Sequence, residues 1–477
     1  MSDVYEVPGV YVVESSALSM SVHQGETAVP VFIGHFFPKK AAVEGVFECV
    51  RVTDWLAFTN AFELGAAEVT VQSKPPFEAA DGAPADAPGI TVKHTPYTGA
   101  HSVRLYFENG GGPCYVLHVP DRSKAALACA AITQCPDITL LCWCERTSDE
   151  AATIYPELGK LLAPAPTLGG NRGYFLLTDG WYDEAKQAYV APDFGEPTQA
   201  AAYFPALQTT YRYAVSDEAV KVSGLDQKDW KVESATLAEM KQTLAGVEDA
   251  GKKTTLSGLY DAIHTALDAK LGPVILRASC AMAGVIARTD RERGVWKAPA
   301  NVALNGVAEL VAYHKGKTES DDKLVAVRVD DDMNGQLVEA HINAIRQFRG
   351  QGVLAWGART MVNQNQPAWR YIPVRRLFNA VGRDMGAALQ VAVFEPNSAP
   401  TWERVRAALA IYLNGLWREG ALMGDTPEQA YFVHIGLGLT MTEADISQGR
   451  MKVKVGMAAV RPAEFIILEL TQQVTPG

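Results

Sequence analysis

The sequence lacks a stretch suited to crossing a membrane, because its 477 residues contain no run of about 18 consecutive apolar residues. The opening MSDVYEVPGVYVVE has neither a basic start nor an apolar core, so no secretory signal is expected. Basic residues are not in excess either, since the formal net charge is -11. A nucleic-acid-binding protein needs a basic surface to neutralise phosphates. We therefore expect no direct membrane insertion and no nucleic-acid partner.

The sequence also lacks the short motifs of common enzyme classes. It contains no GxxxxGK[ST] phosphate loop, no GxSxG elbow and no HExxH helix, and the HIGLGLT segment lacks the third glycine of a dinucleotide fingerprint. The nine histidines are scattered. We therefore predict a protein that is not an enzyme and has no catalytic or cofactor-binding residues. A catalytic set built from distant residues keeps an α/β hydrolase-like enzyme open, and a host- or carbohydrate-binding module is the other alternative.

Two patterns resemble metal sites but are incomplete. Cys142 and Cys144 lie two residues apart in an apolar run, but no second cysteine or histidine pair with zinc spacing accompanies them. The segment VDDDMNG (329–335) matches the start of an EF-hand loop, but its twelfth position is His341 and not a glutamate. We predict buried reduced thiols, a turn that caps the next helix, and no metal ligands.

The distribution of apolar residues predicts a mixed α/β fold. Segments 28–36, 138–144 and 172–180 are short apolar runs typical of buried strands, and ALACAAIT indicates a helix between two of them. SVRLYFENGGGPCYVLHV (102–119) predicts two strands around a glycine-rich turn.

The last third has the clearest periodicity. Residues 336–349 and 401–420 have helical spacing, with glycines at the predicted ends. Residues 353–357, 451–458 and 465–470 read as strands.

Two segments contain few of the apolar residues that a hydrophobic core needs. Residues 64–100 concentrate Pro, Ala, Gly and Asp, and residues 215–258 are polar and rich in lysine. Both are predicted to be surface insertions.

Two further features indicate protein–protein contacts. The β-rich segment Gly9–Glu14 lies at the amino terminus, where a strand either joins its own sheet or pairs with another chain. Segments 288–297 and 369–378 combine arginine with aromatic residues. Because the chain is acidic overall and arginine pairs bidentately with carboxylates, we favour protein interfaces over nucleic acid for them.

These segments carry a resemblance to a known family. The phrases are YEVPGVYVVE, VIARTDRERGVWKAPANVAL, HINAIRQFRGQGVLAWGARTM, WRYIPVRRLF, VFEPNSAPTWERVRAALAIYLNGLWREG and DISQGRMKVKVGMAAVRPAEFIILEL. In order and spacing the sequence resembles the tail sheath family of contractile phages and related injection systems, over roughly half of the chain.

The resemblance implies a multidomain architecture. It comprises an N-terminal β arm (1–25), a middle α/β domain of subtilisin-like topology (26–335) and an α+β C-terminal domain facing an inner tube (336–477). The insertions near 64–100 and 215–258 belong to the middle domain. The extended terminal β arms would complete sheets of neighbouring subunits.

The resemblance also implies the function. The chain would polymerise helically with itself, with sheath paralogues as further partners, around an inner tube protein, and would contract to drive the tube through a target envelope. Baseplate and terminator or cap proteins would be its other partners. It would be made in the bacterial cytoplasm and then reside in a virion or a released extracellular particle. A phage tail, a bacteriocin and an extracellular injection system all remain open, and the elaborated middle favours an injection system with several sheath paralogues.

The predicted site residues form two groups. The intersubunit β arms are Gly9, Val10, Tyr11, Val12, Val13, Glu14, Phe465, Ile466, Ile467, Leu468, Glu469 and Leu470. The candidate intersubunit or tube contacts are Arg370, Arg375, Arg376, Glu403, Arg404 and Arg406.

Overall fold

The computed structural model describes residues 20–40, 45–72, 89–145, 153–163, 173–224, 235–315, 323–362 and 366–464. Contacts divide the chain into two compact units. The larger unit consists of the described residues of 26–380 and 461–477, and the smaller unit of those of 1–25 and 381–460. The predicted boundary at 335/336 therefore falls inside the larger unit.

The secondary-structure elements are numbered in chain order. The strands are β1 Pro30–Gly34, β2 Phe37–Pro38, β3 Cys49–Val52, β4 Phe62–Glu63, β5 Ala67–Gln72, β6 Gly89–His94, β7 Cys114–His118, β8 Leu140–Trp143, β9 Phe175–Asp179, β10 Trp181–Asp183, β11 Ala188–Val190, β12 Ala200–Phe204, β13 Ala206–Arg212, β14 Val220–Ser223, β15 Pro273–Leu276, β16 Val302–Ala303, β17 Val307–Lys315, β18 Lys323–Ala326, β19 Ile342–Phe348, β20 Gly352–Ala355, β21 Tyr431–His434 and β22 Lys454–Met457. The helices are α1 Trp55–Ala61, α2 Gly99–Glu108, α3 Ala125–Ile132, α4 Tyr155–Leu162, α5 Leu237–Ala245, α6 Ala250–Lys270, α7 Ala278–Arg293, α8 Asp331–Glu339, α9 Ile372–Leu389, α10 Ala399–Arg418, α11 Pro427–Ala430 and α12 Glu443–Ser447.

A nine-stranded sheet in the order β16-β20-β19-β12-β9-β8-β1-β7-β3 is the centre of the larger unit. Strands β19, β12, β9, β8, β1 and β7 run parallel, and antiparallel strands close both edges. The central parallel strands are mostly apolar because both faces of the sheet are covered. Phe32 packs with the cluster that includes α2 and α7, whereas Val31 and Ile33 pack with the cluster that includes α3 and α4. The mixed α/β prediction is confirmed.

A second, six-stranded sheet lies in the same unit. Its path is β11-β10-β17-β13-β15, with β18 paired to β17. None of the helices in the described ranges is long and apolar enough to span a bilayer.

The segments predicted as insertions join to form one small body, here called the insertion subdomain and composed of β5, β6, β14, α5 and α6. Its three-stranded sheet has the order β14-β5-β6, with β14 parallel to β5 across more than a hundred residues of sequence. Val69, Leu237 and Ile263 are fully buried in its own hydrophobic cluster. Each segment alone has too little apolar surface to form a hydrophobic core, but the two segments together form one.

Two secondary-structure predictions are wrong. Residues 102–108, predicted as a strand, belong to helix α2, because Val103 and Tyr106 at helical spacing pack into the main core. The helix predicted over 336–349 ends at Glu339, and His341 has a positive φ of 60° that no helix accommodates. The chain continues as strand β19 between β12 and β20.

The smaller unit is built around helix α10. Four of the five residues of its predicted apolar stripe are buried, namely Val405, Leu409, Leu413 and Leu416, whereas the fifth, Trp402, is half-buried. Strands β21 and β22 form an antiparallel two-stranded ribbon, and β21 contacts α10. MKVKVGMA, predicted as a strand, supplies β22.

Candidate functional site

Both predicted arms lie outside the described residues. Gly9–Glu14 precedes the first described residue, Met20, and Phe465–Leu470 follows the last one, Glu464. The arms therefore stay predictions.

The arginine-rich segment 369–378 is divided between loop and helix. Arg370 is half-buried, and its carbonyl oxygen accepts a hydrogen bond from the Thr360 amide at 2.8 Å. Arg375, on α9, places its guanidinium carbon 4.1 Å from the ring centroid of Trp369 and donates to the Asn379 side chain at 3.0 Å. Burial lowers the pKa of Arg375 to about 10. Cation–π stacking holds this guanidinium against its own chain.

Arg376 is an internal residue of the described fold. Only 4% of its surface is exposed, and its guanidinium makes two hydrogen bonds to the Asp290 carboxylate, at 2.8 and 2.6 Å. It also donates to the Thr27 carbonyl at 2.9 Å, and the Thr27 hydroxyl donates to Asp290 at 2.5 Å. The pair joins α9 to α7 within the larger unit. Placing Arg376 at an intersubunit contact is therefore not supported by its position.

The other three predicted contacts lie on α10, within the smaller unit. Glu403 is the most exposed, with 65% of its side chain accessible, and it pairs with Arg406 at 2.6 Å. Arg406 also donates to the Ile435 carbonyl at 2.6 Å. Arg404 lies 3.8 Å from the Glu395 carboxylate. All three present charge at the surface, and each is partly neutralised by a neighbour in its own chain.

The two-stranded ribbon β21–β22 is a surface that sequence reasoning missed. Only one edge of each strand is paired within the described residues, so the outer edges offer backbone donors and acceptors. The ribbon exposes Phe432, and Leu437 and Leu439 are exposed in the segment that connects its two strands. The alternation in MKVKVGMA predicted one strand of the ribbon, but its short partner gave no separate signal.

A buried polar network lies at the carboxyl ends of β8 and β9, where an α/β enzyme would bind its substrate. Asp179 accepts hydrogen bonds from the Ser279 amide, at 3.0 Å, and from the Ser279 hydroxyl. Arg277 donates to the Glu145 carbonyl at 2.8 Å and lies 3.4 Å from Asp179. These groups bond to one another and join the strand ends to the start of α7.

The Glu145 carboxylate occupies the start of helix α2. It accepts hydrogen bonds from the amides of Thr98 at 2.9 Å and Gly99 at 3.2 Å, and from the His35 amide at 3.2 Å. Burial raises the pKa of Glu145. This carboxylate satisfies orphan amides of the first helical turn, which is a structural role.

The two metal-like patterns are structural in the described part of the chain. The Cys142 and Cys144 thiols are buried, and burial raises the pKa of both. Asp330 caps helix α8 by accepting a hydrogen bond from the Met333 amide at 2.9 Å. Residues 331–335, predicted as a turn ahead of a helix over 336–349, are themselves the first residues of α8, so the predicted turn is wrong although its first aspartate does cap a helix. Within the described ranges, no group of three or more metal-ligating side chains comes together.

Comparison with known proteins gives matches over part and over nearly all of the chain. Residues 364–473 match the family model of the phage tail sheath C-terminal domain. The tail sheath protein of Enterobacteria phage T4 is 31% identical over 134 residues, which cover 28% of this chain and 18% of the phage protein. The chain thus aligns with less than a fifth of that curated relative's length.

Solved sheath structures match over almost the whole chain. The helical sheath of the anti-feeding prophage in its contracted state is 35% identical, with a TM-score of 0.66, and the match covers 98% of this chain and 100% of that one. The contracted sheath complex of the extracellular contractile injection system PVC is 33% identical, with a TM-score of 0.62 and 99% coverage of both chains.

The fold and these matches define a structural subunit of a contractile sheath. More particularly, the chain belongs to the phage tail sheath family, and its full-length similarity is to sheaths of contractile injection systems.

Proposed function

We propose that this chain polymerises helically with itself around an inner tube and contracts to drive the tube through a target envelope. The observation that carries the proposal is the match, at 35% identity and over the whole length of the relative, to a helical sheath in its contracted state. The energy of contraction would reside in contacts between copies that improve in the contracted state. A difference of a few kcal/mol per subunit is enough, because the contributions of many copies add.

Strand exchange between copies would hold the polymer together. The ribbon β21–β22 has unpaired outer edges within the described chain, and strand addition to an exposed edge is a common mode of peptide recognition. The segments proposed to add are Gly9–Glu14 and Phe465–Leu470, whose β-branched and aromatic residues suit a strand.

Internal hydrogen-bonded pairs support rigid-body movement of the larger unit during contraction. The buried pair Arg376–Asp290 and the network around Asp179 join helices and strand ends by charge-assisted hydrogen bonds. Separating such paired groups inside the protein costs much free energy, because each would be left buried without a partner. Contraction would therefore change contacts between copies and leave these internal contacts in place.

The finer assignments also belong to the proposal. The inner tube, the baseplate and a terminator or cap protein are the proposed partners, besides sheath paralogues. Assembly would take place in the bacterial cytoplasm, and the mature location would be a virion or a released extracellular particle. A structural role without catalysis is supported by the structural relatives and by the internally bonded groups at the carboxyl ends of β8 and β9. The subtilisin-like topology of the middle domain and its tube-facing C-terminal neighbour remain part of the proposal.

Deletion of residues 1–14 tests strand exchange. We expect a folded subunit that no longer forms sheath, and Val12→Pro should act similarly because proline cannot donate to a strand ladder. Ser2→Pro, outside the predicted strand, is the matched control and should assemble normally. Electron microscopy and circular dichroism provide the two readouts. Normal sheath from the deletion variant would disprove exchange through this arm.

A further inference from the structure

The side chain of Glu464, the last described residue, is bound by Arg359 and Tyr371, and these three residues are here called the anchor. Arg359 donates from Nε to the two carboxylate oxygens at 2.9 and 3.1 Å, and from Nη2 to Oε2 at 2.6 Å. The Tyr371 hydroxyl donates to the same carboxylate at 3.2 Å. Both ionic side chains are mostly shielded, with 27% of Arg359 and 20% of Glu464 accessible. A bidentate arginine–carboxylate pair fixes direction as well as distance.

Arg359 is itself fixed by a buried amide. Its backbone N–H donates to Asn343 Oδ1 at 2.8 Å, and its carbonyl accepts from Asn343 Nδ2 at 2.8 Å. Asn343 is only 4% exposed and also donates to the Ala202 carbonyl, in the centre of the large sheet. The anchor is therefore connected to the rigid sheet through both backbone groups of Arg359, and its orientation is set before any partner binds.

The segment before the anchor lies along a groove of the larger unit. Pro462, Ala463 and Glu464 line a cavity of about 480 Å³ together with Trp356 and Arg359. The thirteen residues that follow, FIILELTQQVTPG, open with four consecutive apolar residues. The anchor stands at the junction between the described fold and the segment that sheath assembly is proposed to exchange.

We propose that Arg359 is a positioning residue for sheath assembly. With Tyr371 it fixes Glu464, and this sets the point and direction from which residues 465–477 reach a second copy of the chain. The inference rests on the proposed function and adds the residues that aim the C-terminal segment. A C-terminal segment that leaves Glu464 in another direction should add to a neighbouring copy more slowly, because a strand must enter the neighbour's sheet in one register.

The test compares elongation rates of purified full-length variants with circular dichroism melting of the unassembled subunit. We expect Arg359→Gln to leave the subunit folded with a melting temperature lowered by only a few degrees, and to elongate roughly tenfold more slowly, since hydrogen bonds to charged groups contribute about that factor or more. Arg359→Lys keeps the charge without the bidentate geometry and should be intermediate. The double variant Arg359→Glu with Glu464→Arg should recover much of the rate. Lys160→Gln, which removes an exposed ion pair with Glu157, is the control and should match wild type.

The outcomes separate the two proposals. Wild-type sheath together with a wild-type rate for Arg359→Gln overturns the anchor and leaves the proposed function standing. Slow single variants that the charge-swapped double variant does not rescue also overturn it, because pairing with Glu464 is then not what matters. Failure of wild type and control to form sheath in the presence of the tube protein overturns the proposed function and, with it, this inference.

Discussion

Replacement of Arg376 by methionine separates the sequence-based expectation for this residue from the structure-based one. The sequence placed Arg376 among the intersubunit or tube contacts, whereas the structure buries it against Asp290. Methionine keeps much of the side-chain volume but removes all donors. In the described fold, Asp290 then keeps the Thr27 hydroxyl as a partner and loses both guanidinium bonds.

The magnitude follows from burial. Removing one partner of a buried ion pair costs about 3–5 kcal/mol because the other charge stays buried without compensation. The remaining Thr27 hydroxyl bond places the expected loss near the lower limit, at about 3 kcal/mol. Adding Asp290→Asn removes the uncompensated charge and should restore at least about 1 kcal/mol.

Urea unfolding of the unassembled subunit, followed by circular dichroism, measures this loss as a shift of the midpoint at unchanged slope. Arg404→Met is the matched control, since its 3.8 Å pair with Glu395 is partly exposed and should contribute at most about 0.5 kcal/mol. Wild-type stability of the Arg376 variant, combined with failed assembly, would contradict the bracing role and support an interface role.

Three further predictions concern the larger unit. His101 is 1% exposed, and burial lowers its pKa to about 4. Between pH 7 and pH 5 this histidine is protonated in the unfolded state but not in the folded state, so the protein should lose about 2 kcal/mol of stability. His101→Phe should abolish that share of the pH dependence, as urea titrations at both pH values can measure. Gly224→Ala should destabilise the protein by about 2 kcal/mol or more, because φ is +82° and the new Cβ would lie 2.0 Å from the Val71 carbonyl oxygen. Gly258→Ala in helix α6 meets open space and should stabilise the protein by roughly 0.5–1 kcal/mol. Chemical denaturation measures both changes. Iodoacetamide should label the partly exposed Cys135 in the native protein and spare Cys142 until unfolding, as peptide mass spectrometry can verify, and early labelling of Cys142 would show that the core opens.

Local patterns predicted much of the fold. The strands that begin at Pro30, Leu140 and Phe175 and the helix Ala399–Arg418 were predicted because apolar runs and helical spacing report burial directly. The stretch after Glu339 was mispredicted, since its apolar residues fit a helical face and a buried strand equally well. The stretch forms a strand because it lies between β12 and β20 in the sheet, and neighbouring residues in the sequence do not reveal that position.

Long-range pairing was beyond sequence reasoning. The parallel pairing of β14 with β5 creates the insertion subdomain, and neither segment carries a sign of the other. The same holds for the candidate contacts: an arginine in a segment that mixes arginine with aromatic residues can face solvent or a buried aspartate, and only the fold showed that Arg376 meets Asp290. The anchor of Glu464 on Arg359 joins positions 105 residues apart and likewise had no local signal.

Electron microscopy of the purified protein with its inner tube protein shows whether this chain forms a contractile sheath. We expect hollow striated cylinders of uniform width around the tube, with a wider and shorter form after contraction is triggered. Discrete particles of fixed size under all conditions, with the tube protein present, would contradict it and favour a non-polymerising enzyme or binding module.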